Sequence, residues 1–129
     1  MYPALTLSLA ALAPAVLAAR QEDAHTAPPQ RAHHALVYDG STRTIVMSGG
    51  STPVDGGDSS RFFSDVWRLD AGGWKLAGNS GDGRSGIALA YDSKRKKVYS
   101  LGGYTGGDQS RSEFRVLDGA SWTTLADDP

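Results

Sequence analysis

RAHHALVYDGSTRTIVMSGG, residues 31–50, aligns without a gap to RSGIALAYDSKRKKVYSLGG, residues 84–103. The offset is 53 residues (Arg31 to Arg84), and it matches Ala35 to Ala88, Leu36 to Leu89, Tyr38 to Tyr91, Asp39 to Asp92 and Ile45 to Val98. It also matches the diglycine Gly49-Gly50 to Gly102-Gly103. Beyond the diglycine, DVWRLDAGGWKL from Asp65 pairs with EFRVLDGASWTTL from Glu113, where the offset is 48 at Asp65/Glu113, Leu69/Leu117, Asp70/Asp118 and Trp74/Trp122. The intervening loop is therefore five residues shorter in the second copy (53 against 48). Length change confined to one loop between matched segments is how a repeated supersecondary unit diverges.

Each copy divides into short runs rich in β-branched and aromatic residues. His34–Tyr38 and Thr44–Ser48 flank the turn residues Asp39-Gly40-Ser41-Thr42. Asp65–Leu69 alternates Trp67 and Leu69 against Arg68, and Trp74–Leu76 alternates likewise after the turn Asp70–Gly73. The second copy repeats the series as Ile87–Tyr91, Lys97–Leu101, Glu113–Leu117 and Trp122–Leu125. Four antiparallel strands per copy, eight in all, predict an all-β fold with no helix outside the N-terminal leader. A glycine pair at the end of a strand predicts close backbone approach there.

The order strand, Tyr-Asp, turn, strand, Gly-Gly, loop, Asp-Val-Trp-x-Leu-Asp, Trp resembles the kelch repeat from Arg31 to Leu125. The resemblance implies two four-stranded antiparallel β-propeller blades, at 31–78 and 79–129, the second ending in the start of a link to a further blade. It assigns structural roles to Gly49, Gly50, Gly102, Gly103, Trp67, Trp74, Trp122, Tyr38 and Tyr91. Trp74 and Trp122, on the outer strand, would cover the gap to an adjacent blade. The second copy departs from the pattern at Arg115, where the first has Trp67, and at Ile87, where the first keeps the family's His as His34. His34 is expected to hydrogen-bond within its blade. Kelch propellers close with about six or seven blades, and stacked repeats usually need about three copies or more for stability. Two copies therefore predict either a fragment of a longer propeller or self-association, for example three chains making six blades.

Residues Met1 to Ala19 carry no charged side chain and are rich in Ala and Leu, with small residues at Ala18 and Ala19 just before Arg20. They read as a secretory signal peptide, forming an apolar helix, that lacks a basic start. An uncleaved anchor is the alternative, against which count Pro3, Pro14 and the short span. Residues 20–30 form a polar linker ending in Pro28-Pro29-Gln30. The expected location is secreted, periplasmic or extracellular, with no membrane contact after leader cleavage. A formal net charge of −1 gives no electrostatic footprint for nucleic acid. Cys is absent, which removes disulfides, thiolate metal sites and Cys nucleophiles.

Catalytic signals are thin. His33 and His34 are adjacent and would point to opposite faces of a strand, short of the convergent ligands that zinc needs. Asp55 and Asp58, in a loop, lack the spacing of an EF-hand. Residues 78–83 are Gly-rich, but neither a Lys-Ser/Thr pair nor a helical pattern follows. No metal, cofactor or catalytic residue is assigned. Some secreted kelch-like enzymes are copper radical oxidases built on a Tyr–Cys cross-link, which a Cys-free chain cannot make.

The kelch resemblance places ligands on the face formed by connections entering the first strand and leaving the second. Here those positions are Arg31, Arg84 and Ser85, then Ser51 and Tyr104. Arg offers a fork of donors for carboxylates, while Tyr and Ser add adaptable hydrogen bonds. Arg31 and Arg84 have a competing structural reading, in which they pair with backbone or with acidic residues. Arg61 and Arg111, in the long loops, are weaker members of the set. The expected function is a non-catalytic binding module for a protein or carbohydrate. The alternative is part of a sialic acid mutarotase-like enzyme whose site lies in blades not present here.

Overall fold

The apolar and polar alternation of each copy becomes a meandering antiparallel sheet in the computed structural model, which describes residues 27–54, 56–57, 59–79 and 81–125. The leader expected at 1–19 and most of the 20–30 linker lie outside the described residues, as do Asp55 and Asp58. No helix occurs among the described residues. The first sheet contains β1 (Ala32–Asp39), β2 (Thr44–Pro53), β3 (Ser60–Phe62), β4 (Asp65–Asp70) and β5 (Gly73–Asn79), in the order β1-β2-β4-β5 with β3 also paired to β2. The second contains β6 (Ala88–Asp92), β7 (Lys97–Tyr104), β8 (Ser110–Asp118) and β9 (Ser121–Thr124), in chain order. The fold is all-β, with two antiparallel sheets.

The strand count differs from expectation by one. β2 runs on to Pro53, and β3 folds back along it with Ser51 opposite Phe62 and Thr52 opposite Arg61. The longer loop of the first copy closes through hydrogen bonds from Val54 N to Ser59 O (3.0 Å) and Gly57 N to Val54 O (2.9 Å). In the second copy the shorter loop lets the same return segment fuse with the next strand, so β8 begins at Ser110 opposite Tyr104. The five-residue difference thus separates β3 from β4 in one sheet and merges their counterparts in the other.

Equivalent turns are built by equivalent acids. Asp39 Oδ1 accepts from Ser41 N at 3.0 Å and from Ser41 Oγ, and Asp92 Oδ1 accepts from Lys94 N and Arg95 N at 2.9 and 3.1 Å. Such self-capping is what makes Asp a turn former. The last loop residue, Arg43 or Lys96, is left-handed in both turns, at φ 57° and 54°. Asp39 also receives Arg68 Nη1 at 2.9 Å, and that nitrogen reaches Thr44 at 3.0 Å.

The core lies between the sheets. Val46 and Val66 of the first meet Val98 and Leu117 of the second, and Val37, Tyr91 and Trp122 pack around them. Alternation fixes which faces these are. Val46 aligns with Tyr99, whereas Val98 aligns with Ile45. One face of the first sheet therefore packs on the opposite type of face of the second, so the two repeats meet head to tail.

At one cross-strand position the two sheets exchange chemistry. Met47 faces Trp67 across β2 and β4, while the aligned pair in the second sheet is Ser100 and Arg115. All four are buried. Arg115 Nε donates to Ser100 Oγ at 3.1 Å, and its guanidinium carbon lies 5.3 Å from the centre of the Trp122 ring. Where the first sheet has two apolar side chains, the second has a donor and its acceptor together, which is how a buried polar pair is tolerated.

His34 is exposed, and the described residues offer its ring no hydrogen bond, contrary to expectation. Its counterpart Ile87 is buried at 7% exposure, beside the positions that Cβ atoms on Gly49 and Gly103 would occupy. The aligned positions differ because one lies at the seam between sheets and the other does not.

Candidate functional site

The connections that enter β1 and β6 and leave β2 and β7 converge at one end of the sheets. Gly50 N donates to Arg84 O at 2.7 Å, Arg84 N to Phe63 O at 3.1 Å, and Gly86 N to His33 O at 2.9 Å. Gly49, at φ 73°, must lack a side chain, since a Cβ there would sit 2.7 Å from Arg84 O. Beneath this junction Arg31 and Arg84 repeat one arrangement. Arg31 Nη1 donates to Gly49 O at 3.2 Å, and its two Nη groups grip Asp65 bidentately at 2.5 and 2.7 Å. Arg84 Nη1 donates to Gly102 O at 3.2 Å and to Glu113 Oε2 at 3.1 Å, while its Nε reaches Asp82 at 3.0 Å. Gly49/Gly102 and Asp65/Glu113 are the aligned pairs, so the cluster is itself part of the repeat.

Both arginine side chains are sequestered, at 2% and 5% exposure. Arg31 also lies over the Phe63 ring, 3.7 Å from its centre. Burial alone would raise the Asp65 pKa, but hydrogen bonds from Arg31 and Trp67, together with the Arg31 charge, hold it below the ordinary carboxylate value. Glu113 is held low by a backbone hydrogen bond first, with Arg84 and Arg111 adding to it. Burial pushes Arg115 down, and the Arg84 charge adds to that, against Asp82 and Glu113. With their donors committed inside the fold, Arg31 and Arg84 serve as struts of the junction.

The other three expected residues come together above them. Ser85 and Tyr104 exchange backbone hydrogen bonds of 2.9 and 2.8 Å, and the hydroxyls of Ser51 and Ser85 lie 3.2 Å apart. Ser85 is buried and Ser51 half-buried, while Tyr104 stands 42% exposed. Phe62 of β3 meets Tyr104 edge-on, with ring centres 5.7 Å apart and planes at 69°. These rings, with Ser59, Ser60, Gly106 and Gly107, line a cleft of about 340 Å³ between the two long loops. The Tyr104 hydroxyl donates to Gly107 O and so fixes the ring against its own loop.

Phe62 is the residue that sequence reading missed. Its signal was the alternation Ser60-Arg61-Phe62 inside a stretch otherwise rich in Gly, Asp and Ser. Arg61 and Arg111 are exposed near this end. Arg61 lies 5.1 Å from the Phe63 ring centre, and Arg111 is 3.9 Å from Glu113. An aromatic pair bordered by the Ser59 and Ser60 side chains is suited to an apolar ring face with polar edges.

No family model matches this chain, and no curated protein matches it either.

Proposed function

We propose that this chain is an exported kelch-type propeller module that binds a protein or carbohydrate ligand without transforming it. The observation carrying the proposal is the Phe62–Tyr104 pair, an aromatic cleft at the junction of two repeats. A sugar ring stacks an apolar face on an aromatic side chain while its hydroxyls bond at the margin, and Ser59 and Ser60 lie at that margin. Support for the kelch reading comes from the head-to-tail seam and from the Arg, carboxylate and diglycine cluster built twice at aligned positions.

The test is binding to an array of glycans and peptides, followed by titration of any ligand against Phe62→Ala and Tyr104→Ala. Binding lost at least tenfold in both variants, with unchanged β-sheet circular dichroism, is the expected result. Unchanged affinity in both would remove the cleft from the function. Turnover of sialic acid or a related sugar by the folded protein would overturn the non-catalytic reading.

A further inference from the structure

Two apolar faces of this molecule have no cover among the described residues, and each is the repeat equivalent of a face that is covered. On the second sheet, Tyr99 stacks on Phe114 with ring centres 5.0 Å apart and planes at 2°. Leu101 and Phe114 stand 51% and 45% exposed there. Tyr99, Leu101 and Phe114 align with Val46, Ser48 and Val66, which the seam buries completely or nearly so. On the first sheet, Leu36 and Tyr38 are 53% and 58% exposed around buried Met47 and Trp67. Leu36 and Tyr38 align with Leu89 and Tyr91, which are half-buried at the seam.

We infer that the outer face of the second sheet, centred on Tyr99 and Phe114, docks the outer face of the first sheet of a second copy of this chain, centred on Leu36 and Tyr38. Within one chain, Val37, Val46 and Val66 already accept a face made of Tyr91, Val98, Leu117 and Trp122. The first sheet carries that delivering face again as Tyr38, Ile45, Leu69 and Trp74. Its register is the same, with Tyr38 opposite Ile45 and Leu69 opposite Trp74, as Tyr91 is opposite Val98 and Leu117 opposite Trp122. A second copy thus brings a surface whose chemistry and strand spacing are those already accepted once. The contact joins unlike faces, so it is heterologous and leaves one face of each kind free at the ends of a dimer. Repeated contacts close a ring if the rotation permits.

Unlike faces make the test decisive. Full-length chain is compared with Tyr38→Glu and Phe114→Glu by sedimentation velocity, with circular dichroism and Trp fluorescence as folding controls. Wild type is expected to form discrete assemblies, and each variant alone to be a folded monomer. The equimolar mixture is expected to form a 1:1 heterodimer, because each variant keeps the face that the other has lost. If Phe114→Glu unfolds the protein, Leu101→Glu replaces it on the same face. A wild-type monomer at high micromolar concentration would overturn the inference and assign the open faces to further repeats. Association that neither substitution weakens, or a mixture that stays monomeric, would also overturn it.

Discussion

The amide of Gly50 donates a 2.7 Å hydrogen bond to the carbonyl oxygen of Arg84, tying the diglycine of one repeat to the residue that opens the next. That bond requires the backbones to approach closely, and the neighbouring Gly49 permits it. Gly49→Ala is expected to destabilise by at least about 3 kcal/mol, combining left-handed strain with a clash against backbone. Gly86→Ala makes a fair comparison, because Gly86 has φ 68° but open space where a Cβ would sit. It is expected to cost only about 1–2 kcal/mol. Urea unfolding of the two variants measures the difference.

Asp65 neutralises an arginine side chain that is 2% exposed. Asp65→Asn leaves Arg31 buried without its anion and is expected to cost about 3 kcal/mol. Glu113→Gln is expected to cost less, since Arg84 keeps Asp82 at 3.0 Å. Equal losses in chemical denaturation would show that the two clusters are not energetically distinct.

Asp39 is held at a pKa of about 2, below the ordinary 3.8. Burial works against this, and the hydrogen bonds from Ser41, Arg68 and Thr42 outweigh it. A depressed folded-state value means the contribution is complete above about pH 4 and is lost as pH falls towards 2. Stability is therefore expected to decline over that window, with Asp65 acting in the same direction. Asp39→Asn is expected to be less stable at neutral pH and to show a flatter acid limb in thermal melts between pH 2 and 5.

Ser100 is the hydrogen-bond acceptor for a buried arginine nitrogen. Ser100→Ala is expected to cost about 1–3 kcal/mol, the range for leaving a buried donor unpaired. Adding Arg115→Met to Ser100→Ala is expected to recover part of that loss, because donor and acceptor then vanish together. A double-mutant cycle by urea denaturation reads the coupling, and strict additivity would show that the two side chains act separately.

The repeat made most strands legible, because a match between two copies filters out chance alternation. β3 escaped notice since it is three residues long and has no separate counterpart, its equivalent being fused into β8. The arginines were harder. Position alone placed Arg31 and Arg84 at the entrance to the first strands, but a long side chain there can reach outward or fold under the glycines. The clue to the second course was an acid at the same aligned place in each copy, Asp65 and Glu113. Ser51, Ser85 and Tyr104 were brought together as their positions suggested, whereas Phe62 required knowing that the loop turns back on β2.

The core cluster of Val46, Val66, Val98 and Leu117 is divided two and two between the sheets. The unit of inheritance here is thus shorter than the unit of cooperativity. A single repeat expressed alone would have strands and turns but would lack that shared cluster, whereas the pair is expected to melt as one, because separating the sheets and dissolving the cluster are the same event.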